Sequence, residues 1–493
     1  MYVKNILFLI GTILLGLSCS TQKTGEIKPN IIFILADDMG YGDVSYLNPA
    51  AKTNTPHIDK IGREGIYFSD AHTPSAVCTP TRYGLLTGRY CFRTSLKSGV
   101  LVGHSPSLIE PGRQTVASLL KEQGYFTGCI GKWHLGLDWS KKDTTKALYE
   151  GNDWDIADTK NVDYEGPVHG GPTDHGFDYS FINPASLDIA PYVYVSNKRV
   201  TDSVTHHIKG LNEVRGVFWR HGDIAKDFIL EETLDTYGQK AVEFIDSHRD
   251  QPFFLYLPLT APHTPWLPGE DFKGKSGAGT YGDFVMHVDH IVGQVLQSLE
   301  KNNLTDRTMI FFTSDNGAHW TDDDKKQYPH LANHVFSGMK SDVWEGGHRV
   351  PFLVRWPGHV EPGVTSKEVI CLTDMLATFA DLYGTAPGEN AGEDSFSILP
   401  ALLNKSHDTP LRPFTVHHSV NGTFAIRKGK WKLVESKGSG GWSYKGNDDD
   451  PDVQLYNMEE DIGEKNNLYQ QHPDITLELQ NLLTAVKEGS TGK

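Results

Sequence analysis

A chain of 493 residues with 46 Lys and Arg against 62 Asp and Glu carries a net charge of −16 at pH 7, which excludes a nucleic-acid partner, because phosphate binding demands a basic surface. The length exceeds one ordinary hydrophobic core, so two lobes are expected. An anionic substrate would be repelled by the field of the whole molecule and has to be held by local cations and a metal ion.

Lys4 precedes the apolar run Ile6–Leu17 and the residues Ser18-Cys19-Ser20, a layout too short for a membrane span and typical of a secretory signal. Cys19 behind small Ser18 predicts a bacterial lipoprotein, with a signal peptide over residues 1–18, a lipid anchor on Cys19 and a tether over 19–28. Ordinary cleavage near Ser18 is the alternative. Either way the mature chain is exported, to the periplasm or anchored at the outer membrane. Loss of residues 1–18 takes one lysine and no acid, leaving 45 basic and 62 acidic side chains, a net −17. Cys19, Cys78, Cys91, Cys129 and Cys371 form no disulfide framework. With Cys19 and Cys78 set aside an odd three remain, and Cys129 and Cys371 are expected as buried free thiols.

Asn30–Ala36 is an unbroken apolar run rich in β-branched residues, the pattern of a strand buried on both faces, and it ends in Asp37-Asp38-Met39-Gly40. Similar runs recur. Phe126–Ile130 ends at Gly131-Lys132-Trp133-His134, Pro252–Leu259 at Ala261-Pro262-His263, and Thr308–Thr313 at Ser314-Asp315-Asn316-Gly317. Helical periodicities lie between them at His57–Glu64, Thr115–Gln123, Ala225–Ser247, Asp283–Lys301 and Asp374–Leu382. The alternation predicts an α/β fold, with a site beyond the carboxyl ends of the strands. Asp138–Gly176 reads as a long surface loop at the site. From residue 388 the pattern changes to short strands at Phe414–Ser419, Thr423–Ile426 and Lys430–Glu435, with a turn signal at Asn421-Gly422 and a closing helix at His472–Lys487. This predicts a catalytic domain over 29–387 and a smaller α+β lobe over 388–493. Lys437–Asp452 reads as a solvated loop whose acids need no metal.

Cys78 opens the helix-like run Thr79–Thr87. Pro80 is tolerated in a first turn, free N–H groups and the macrodipole favour an anion there, and Arg82 adds a cation one turn on. Cys78 is therefore a candidate nucleophile facing an anionic group, against the blander reading of a small buried hydrophobe. Asp37-Asp38 and Asp315-Asn316 offer carboxylate and amide oxygens at two strand ends. Such pairs are common turn residues singly, but together they suit a hard cation, Ca²⁺ or Mg²⁺, better than zinc. Lys132 and His134 are two apart, which in an extended segment points both to one face.

Cys78-Thr79-Pro80-Thr81-Arg82 resembles the Cys-x-Pro-x-Arg signature of the type I, formylglycine-dependent sulfatases, the arylsulfatase-like branch of the alkaline phosphatase superfamily. Asp37–Asp43, Leu86-Thr87-Gly88-Arg89, Gly131–Gly136, Ala261–Pro265, Ser314–Gly317, Gly338–Lys340 and Glu345–Pro351 follow in the order of that family. Leu455–Asn457 and Asn466–Leu468 are similar to its C-terminal lobe. Thr81 stands where Ser is commoner, and Ile462-Gly463 where Asp-Pro is usual. The resemblance implies a large, mixed, mostly parallel sheet flanked by helices. It implies that a maturation enzyme oxidises Cys78 to formylglycine (3-oxoalanine), and that Asp37, Asp38, Asp315, Asn316 and the modified Cys78 hold Ca²⁺, with Mg²⁺ second. Lys132, Lys340 and Arg82 match the cations that clamp sulfate and steady the site. One oxygen of the aldehyde hydrate attacks sulfur, its proton drawn to an acceptor such as Asp315, while His263, helped by Lys340, protonates the leaving oxygen. His134 then takes the second hydroxyl proton and sulfate is expelled.

A sulfatase acting on a sulfated carbohydrate is the first reading. The alternatives are a phosphodiesterase or phosphonate monoester hydrolase of the same superfamily, and a catalytically silent glycan-binding surface protein. The aromatic-rich stretch Pro184–Tyr194 with Asp188, and His221 after Trp219-Arg220, join polar groups to aromatics as sugars require. The similarity of this stretch to bacterial sulfatases of galactose-type sugars implies an exo-acting enzyme on galactose or N-acetylgalactosamine sulfate, 6-O before 4-O, with Lys132, His263, Lys340, Asp188 and His221 binding substrate. His104, His206, His207, His417 and His418 are expected to be structural or exposed.

Overall fold

An apolar strand without polar alternation needs cover on both faces, and β1 (Asn30–Asp37), buried at every position, has it at the centre of a ten-stranded sheet. The computed structural model describes residues 28–148, 161–405 and 409–489. Cys19, the signal segment and residues 19–27 of the tether lie outside the described residues. In chain order β1 is followed by β2 (Ile66–His72), β3 (Phe126–Lys132), β4 (Tyr179–Asn183), β5 (Val195–Ser196) and β6 (Arg199–Val200). Four short strands stand apart: β7 (Val204–Ile208) pairs with β10 (Gly222–Ala225), and between them β8 (Leu211–Asn212) pairs with β9 (Phe218–Trp219). The main sheet resumes with β11 (Phe253–Pro262), β12 (Thr308–Ser314), β13 (Phe352–Arg355) and β14 (Val364–Cys371). Its order is β14-β2-β13-β12-β1-β11-β3-β4-β5-β6, with the run from β12 to β4 parallel.

Helices α1 (Pro56–Arg63), α2 (Cys78–Thr87), α3 (Val116–Glu122), α4 (Thr233–His248) and α5 (Gly279–Lys301) are joined by the short α6 (Asp322–Gln327) and α7 (Glu345–His348), then α8 (Met375–Leu382) and α9 (Leu399–Leu402). Two groups flank the sheet, α1 with α4 and α5, and α2 with α3 and α8. Helix α4 starts eight residues later than its periodicity suggests, because Ala225 closes β10 and Leu230–Glu232 form a 3₁₀ turn. Residues 138–148 and 161–176 are less loop-like than expected. Trp139, Val162 and Val168 enter the main core, and Asp138 bridges His169.

A four-stranded antiparallel sheet, β15 (Thr415–His418), β16 (Phe424–Lys428), β17 (Trp431–Val434) and β18 (Gln454–Asn457), carries α10 (Pro473–Lys487) over a second core of Val416, Ile426, Leu433, Leu455, Leu479 and Leu483, which Tyr90 and Phe92 of the large lobe enter. Ala391, Ile398 and Leu402 pack with the main core, so residues 388–403 sit with the large lobe and the second core begins at Thr415. Buried charge joins the lobes. Asp70 of β2 pairs with Arg349 at 3.2 Å and Arg427 at 3.0 Å, and Lys432 lies 2.9 Å from Glu345 and 2.7 Å from Glu464. His348 Nε2 lies 3.0 Å from Lys432 Nζ and 3.1 Å from the Val343 carbonyl, His348 Nδ1 meets His72 Nδ1 at 3.0 Å, and His72 Nε2 pairs with Asp70 at 2.7 Å. His417 stacks on His348 with centroids 3.9 Å apart and planes 6° apart. Stacked rings and an ammonium on one nitrogen make this histidine cluster a poor cation cage, and its hydrogen bonds make it a structural seam.

Candidate active site

Register assembles the site. Ala36 of β1 pairs with Ser314 of β12, and Asp37 with Pro262 of β11, so Asp37-Asp38, Asp315-Asn316 and His263 emerge side by side at the carboxyl edge. Asp38 has φ 65° and turns the chain out of the strand, a conformation costly for a residue with a Cβ and met at functional sites. In β3, Gly131 (φ 130°) sits where a Cβ would lie 1.9 Å from the Pro258 carbonyl oxygen. Only glycine lets β3 approach β11 so closely, and Lys132 follows at once. Helix α2 begins at Cys78 behind an extended Val77, and all ten of its residues are buried. The Cys78 thiol thus sits at the positive end of a covered helix.

The charges interlock. Lys132 Nζ lies 2.8 Å from Asp37 Oδ2, and Lys340 Nζ 2.8 Å from Asp38 Oδ2. Arg82 donates to Asp315 Oδ2 from Nε at 3.0 Å and Nη2 at 2.7 Å, and from Nη1 to the Lys132 carbonyl at 2.8 Å. Its Nη2 stands 3.6 Å from Asp37 Oδ1. Arg82 therefore braces the acids from behind. His134 reaches the site by a left-handed turn at φ 54°, and the extended geometry expected of residues 132–134 does not hold. Lys132 lies deep against Asp37 while His134 lines the cleft.

Burial pushes the Cys78 thiol up to about 12, against the pull of Lys132 and Lys340. Burial and the neighbouring Asp37 charge lift Asp315 to about 6, with Arg82 opposing. Burial works the same way on Asp38, but Lys340 and His263 outweigh it and hold that carboxyl well below the usual range. Burial, then Lys340, pushes His263 down to about 4, and burial with Lys132 drives His134 far below its ordinary value. The hydrogen bonds fix the tautomers of these neutral rings. His134 Nε2–H donates to the Leu101 carbonyl at 2.8 Å, so Nδ1 carries the lone pair, and it is buried without a partner. His263 Nδ1–H donates to the Thr264 carbonyl at 2.6 Å, leaving Nε2 3.8 Å from Asp38 Oδ2.

The donor set fits a metal ion. Asp37 Oδ1 and Asn316 Oδ1 are buried acceptors with no hydrogen-bond partner, while Asn316 Nδ2 donates to Asp38 Oδ1 at 2.6 Å. Ligand atoms of Asp37, Asp38, Cys78 and His263 lie within 4.8 Å of one another. Asp315 adjoins them, with Oδ1 accepting from the Asp38 N–H at 3.2 Å. Carboxylates and an amide oxygen converging with two acceptor atoms left unpaired suit a hard cation.

A cleft of about 460 Å³ opens over Cys78, His134, His263 and Lys340. Asp188 lines it. Its Oδ2 binds Arg220 Nη1 at 2.5 Å, and its buried Oδ1, without a hydrogen-bond partner, lies 3.9 Å from His263 Nδ1. His221 does not reach the cleft. It is exposed and faces His207 at 5.8 Å, whereas Phe218 and Arg220 line the pocket. Arg220 turns inward to its ion pair with Asp188, while His221, in the connection between β9 and β10, turns outward. His319 and Trp442, also in the wall, carry no local pattern. His417 and His418 are buried, and His206 and His207 exposed.

Acids, lysines and a cysteine at a helix start, gathered at the carboxyl edge of a mostly parallel sheet, define a hydrolase of anionic esters with a place for a metal ion. The sulfatase family model matches residues 29–385, and the C-terminal model of N-sulphoglucosamine sulphohydrolase matches 338–489. The chain belongs to the sulfatase family, metal-dependent enzymes that hydrolyse sulfate esters. It is 35% identical to an N-acetylgalactosamine-6-O-sulfatase of Bacteroides thetaiotaomicron, covering 93% of each chain, and 32% identical to human arylsulfatase A over 82% of this chain and 74% of that one. A solved B. thetaiotaomicron structure, described under the metabolism of multiple glycosaminoglycans, superposes with a TM-score of 0.81 at 34% identity, covering 94% of this chain and all of that one.

Proposed function

We propose that the protein is an exo-acting carbohydrate sulfatase that removes sulfate from galactose or N-acetylgalactosamine, at the 6-position before the 4-position. The observation that carries this reading is Asp188, which lines the cleft with Cys78, His263 and Lys340 and whose buried Oδ1 has no hydrogen-bond partner. A hydroxyl elsewhere on the sulfated ring, O4 in a 6-sulfate, supplies the donor it lacks. The relative named N-acetylgalactosamine-6-O-sulfatase supports the galacto configuration.

Cys78 is converted to formylglycine, whose hydrate is the nucleophile. Asp37, Asp38, Asp315 and Asn316 hold Ca²⁺, with Mg²⁺ as the second choice, and the ion supplies positive charge to the sulfate oxygens. Lys132 and Lys340 add to that charge, and burial makes it count. Asp315, braced by Arg82, accepts the attacking hydroxyl proton. His263 is neutral in the free enzyme, and an incoming sulfate joins Asp38 in favouring its protonated form, so Nε2 gains the proton that the leaving sugar oxygen takes. His134 Nδ1, a free lone pair on a ring fixed by Leu101, takes the last hydroxyl proton as sulfate departs and the aldehyde re-forms. An N-terminal lipid anchor fits this geometry, because Asn30 starts β1 at the amino edge and the cleft lies at the opposite edge. Initial rates over sulfated sugars of defined position test the substrate. Turnover of galacto-configured 6-sulfates is expected, and turnover confined to glucosamine or uronic acid sulfates would overturn the assignment.

A further inference from the structure

We propose that the cleft continues into a second sugar subsite, in which Trp442 stacks against the pyranose ring linked to the sulfated one. This rests on reading the cleft as a carbohydrate-sulfate site. Trp442 belongs to the segment 437–452, whose composition suggested plain solvation. The acids at its tip are solvated, but its base is built in. Asp342, fully buried, accepts from Ser439 Oγ at 2.8 Å, from Trp442 N at 2.9 Å, from Ser443 N at 3.2 Å and from Ser443 Oγ. Asp342 Oδ2, which takes the Ser443 Oγ bond, also accepts from Met339 N at 2.9 Å, one residue before Lys340.

Gly441 lies so close to that turn that a Cβ would stand 2.4 Å from the Ser341 carbonyl oxygen and 2.5 Å from Asp342 Oδ1. The loop of the small lobe is thus seated on the turn that carries a sulfate-facing lysine. Backbone held this firmly still leaves Trp442 49% exposed at the wall of the cleft. The ring packs edge-on against His319 with centroids 5.2 Å apart, and its indole N–H makes no hydrogen bond among the described residues. Burial does not explain an indole placed so. Half its surface is presented, and the other wall carries Val214, 66% exposed. An amphipathic ring that offers an apolar face and one donor matches a pyranose, which has C–H faces and hydroxyl edges. Asp342 is the positioning residue and Trp442 the contact.

The test compares initial rates on a monosaccharide sulfate and on a disaccharide with that sugar at its non-reducing end, for wild type, Trp442→Ala and Trp442→Phe. Wild type should favour the disaccharide. Trp442→Ala should lose about ten-fold in kcat/KM on the disaccharide, through KM, and change less than about two-fold on the monosaccharide, with Trp442→Phe restoring most of the loss. Unchanged disaccharide kinetics in Trp442→Ala, or an equal loss on both substrates, overturns the subsite while turnover of the monosaccharide leaves the sulfatase reading standing. No turnover of either sugar by matured wild type removes the carbohydrate reading and the subsite with it.

Discussion

A thiol pushed up to about 12 by burial is almost wholly protonated at neutral pH, about one part in 10⁵ thiolate. Cys78 as encoded is therefore a weak nucleophile in spite of its place at a helix start beside Lys132 and Lys340. Chain produced without a maturation enzyme should fold and fall by more than about 10³-fold in sulfate-ester hydrolysis. Peptide mass spectrometry should find an aldehyde at residue 78 in active protein, and full activity with only free thiol there would refute the mechanism. Single residues were legible where chemistry and chain order agreed. Asp37, Asp38, Cys78, Arg82, Lys132, His134, His263, Asp315, Asn316 and Lys340 all come to one place. His221 was misplaced because a histidine beside aromatics looks functional, while the ion pair with Asp188 gives the cleft to Arg220.

Elements buried on both faces announce themselves as uninterrupted apolar runs, which is why β1, β3, β11 and β12 were readable nearly to their ends. Strands β2, β13 and β14 were not. Ile66–His72 mixes Ser and Asp into its pattern because Asp70 must reach Arg349 and Arg427, and β14 is half-exposed at the sheet edge. Gly131 shows an element serving the site. Gly131→Ala puts a methyl group within 1.9 Å of the Pro258 oxygen at φ 130°, and relief requires β3 to part from β11, taking Lys132 with it. A loss of about 2–4 kcal/mol in unfolding free energy is expected, together with a lower kcat on any sulfate ester. Denaturant titration and steady-state kinetics check the two effects separately, and normal values of both would mean that β3 moves without cost.

On the scale of the whole molecule, the lobes are joined by apolar contact through Tyr90, Phe92 and Val343 and by buried charge, and the Asp70 pairs were illegible because their partners lie hundreds of residues away. Asp70 and Arg427 belong to different sheets, and each reads singly as an ordinary surface charge. Burial disfavours the Asp70 anion, but Arg349 and Arg427 outweigh it and hold the carboxyl well below its ordinary value. A folded pKa below the unfolded one gives stability that is fully present above the unfolded value, about 4, and is lost as pH falls through the folded value. Unfolding free energy should therefore decline below about pH 4 as protons uncouple the lobes. Asp70→Asn should be less stable than wild type at pH 7, by about 3–5 kcal/mol, because Arg427 loses its buried anion and Arg349 is left with Glu345 alone. It should also lose less than wild type between pH 5 and pH 3. Denaturant titrations across that interval decide the matter: parallel pH profiles for the two proteins would show that the seam's charge does not govern how the lobes hold together.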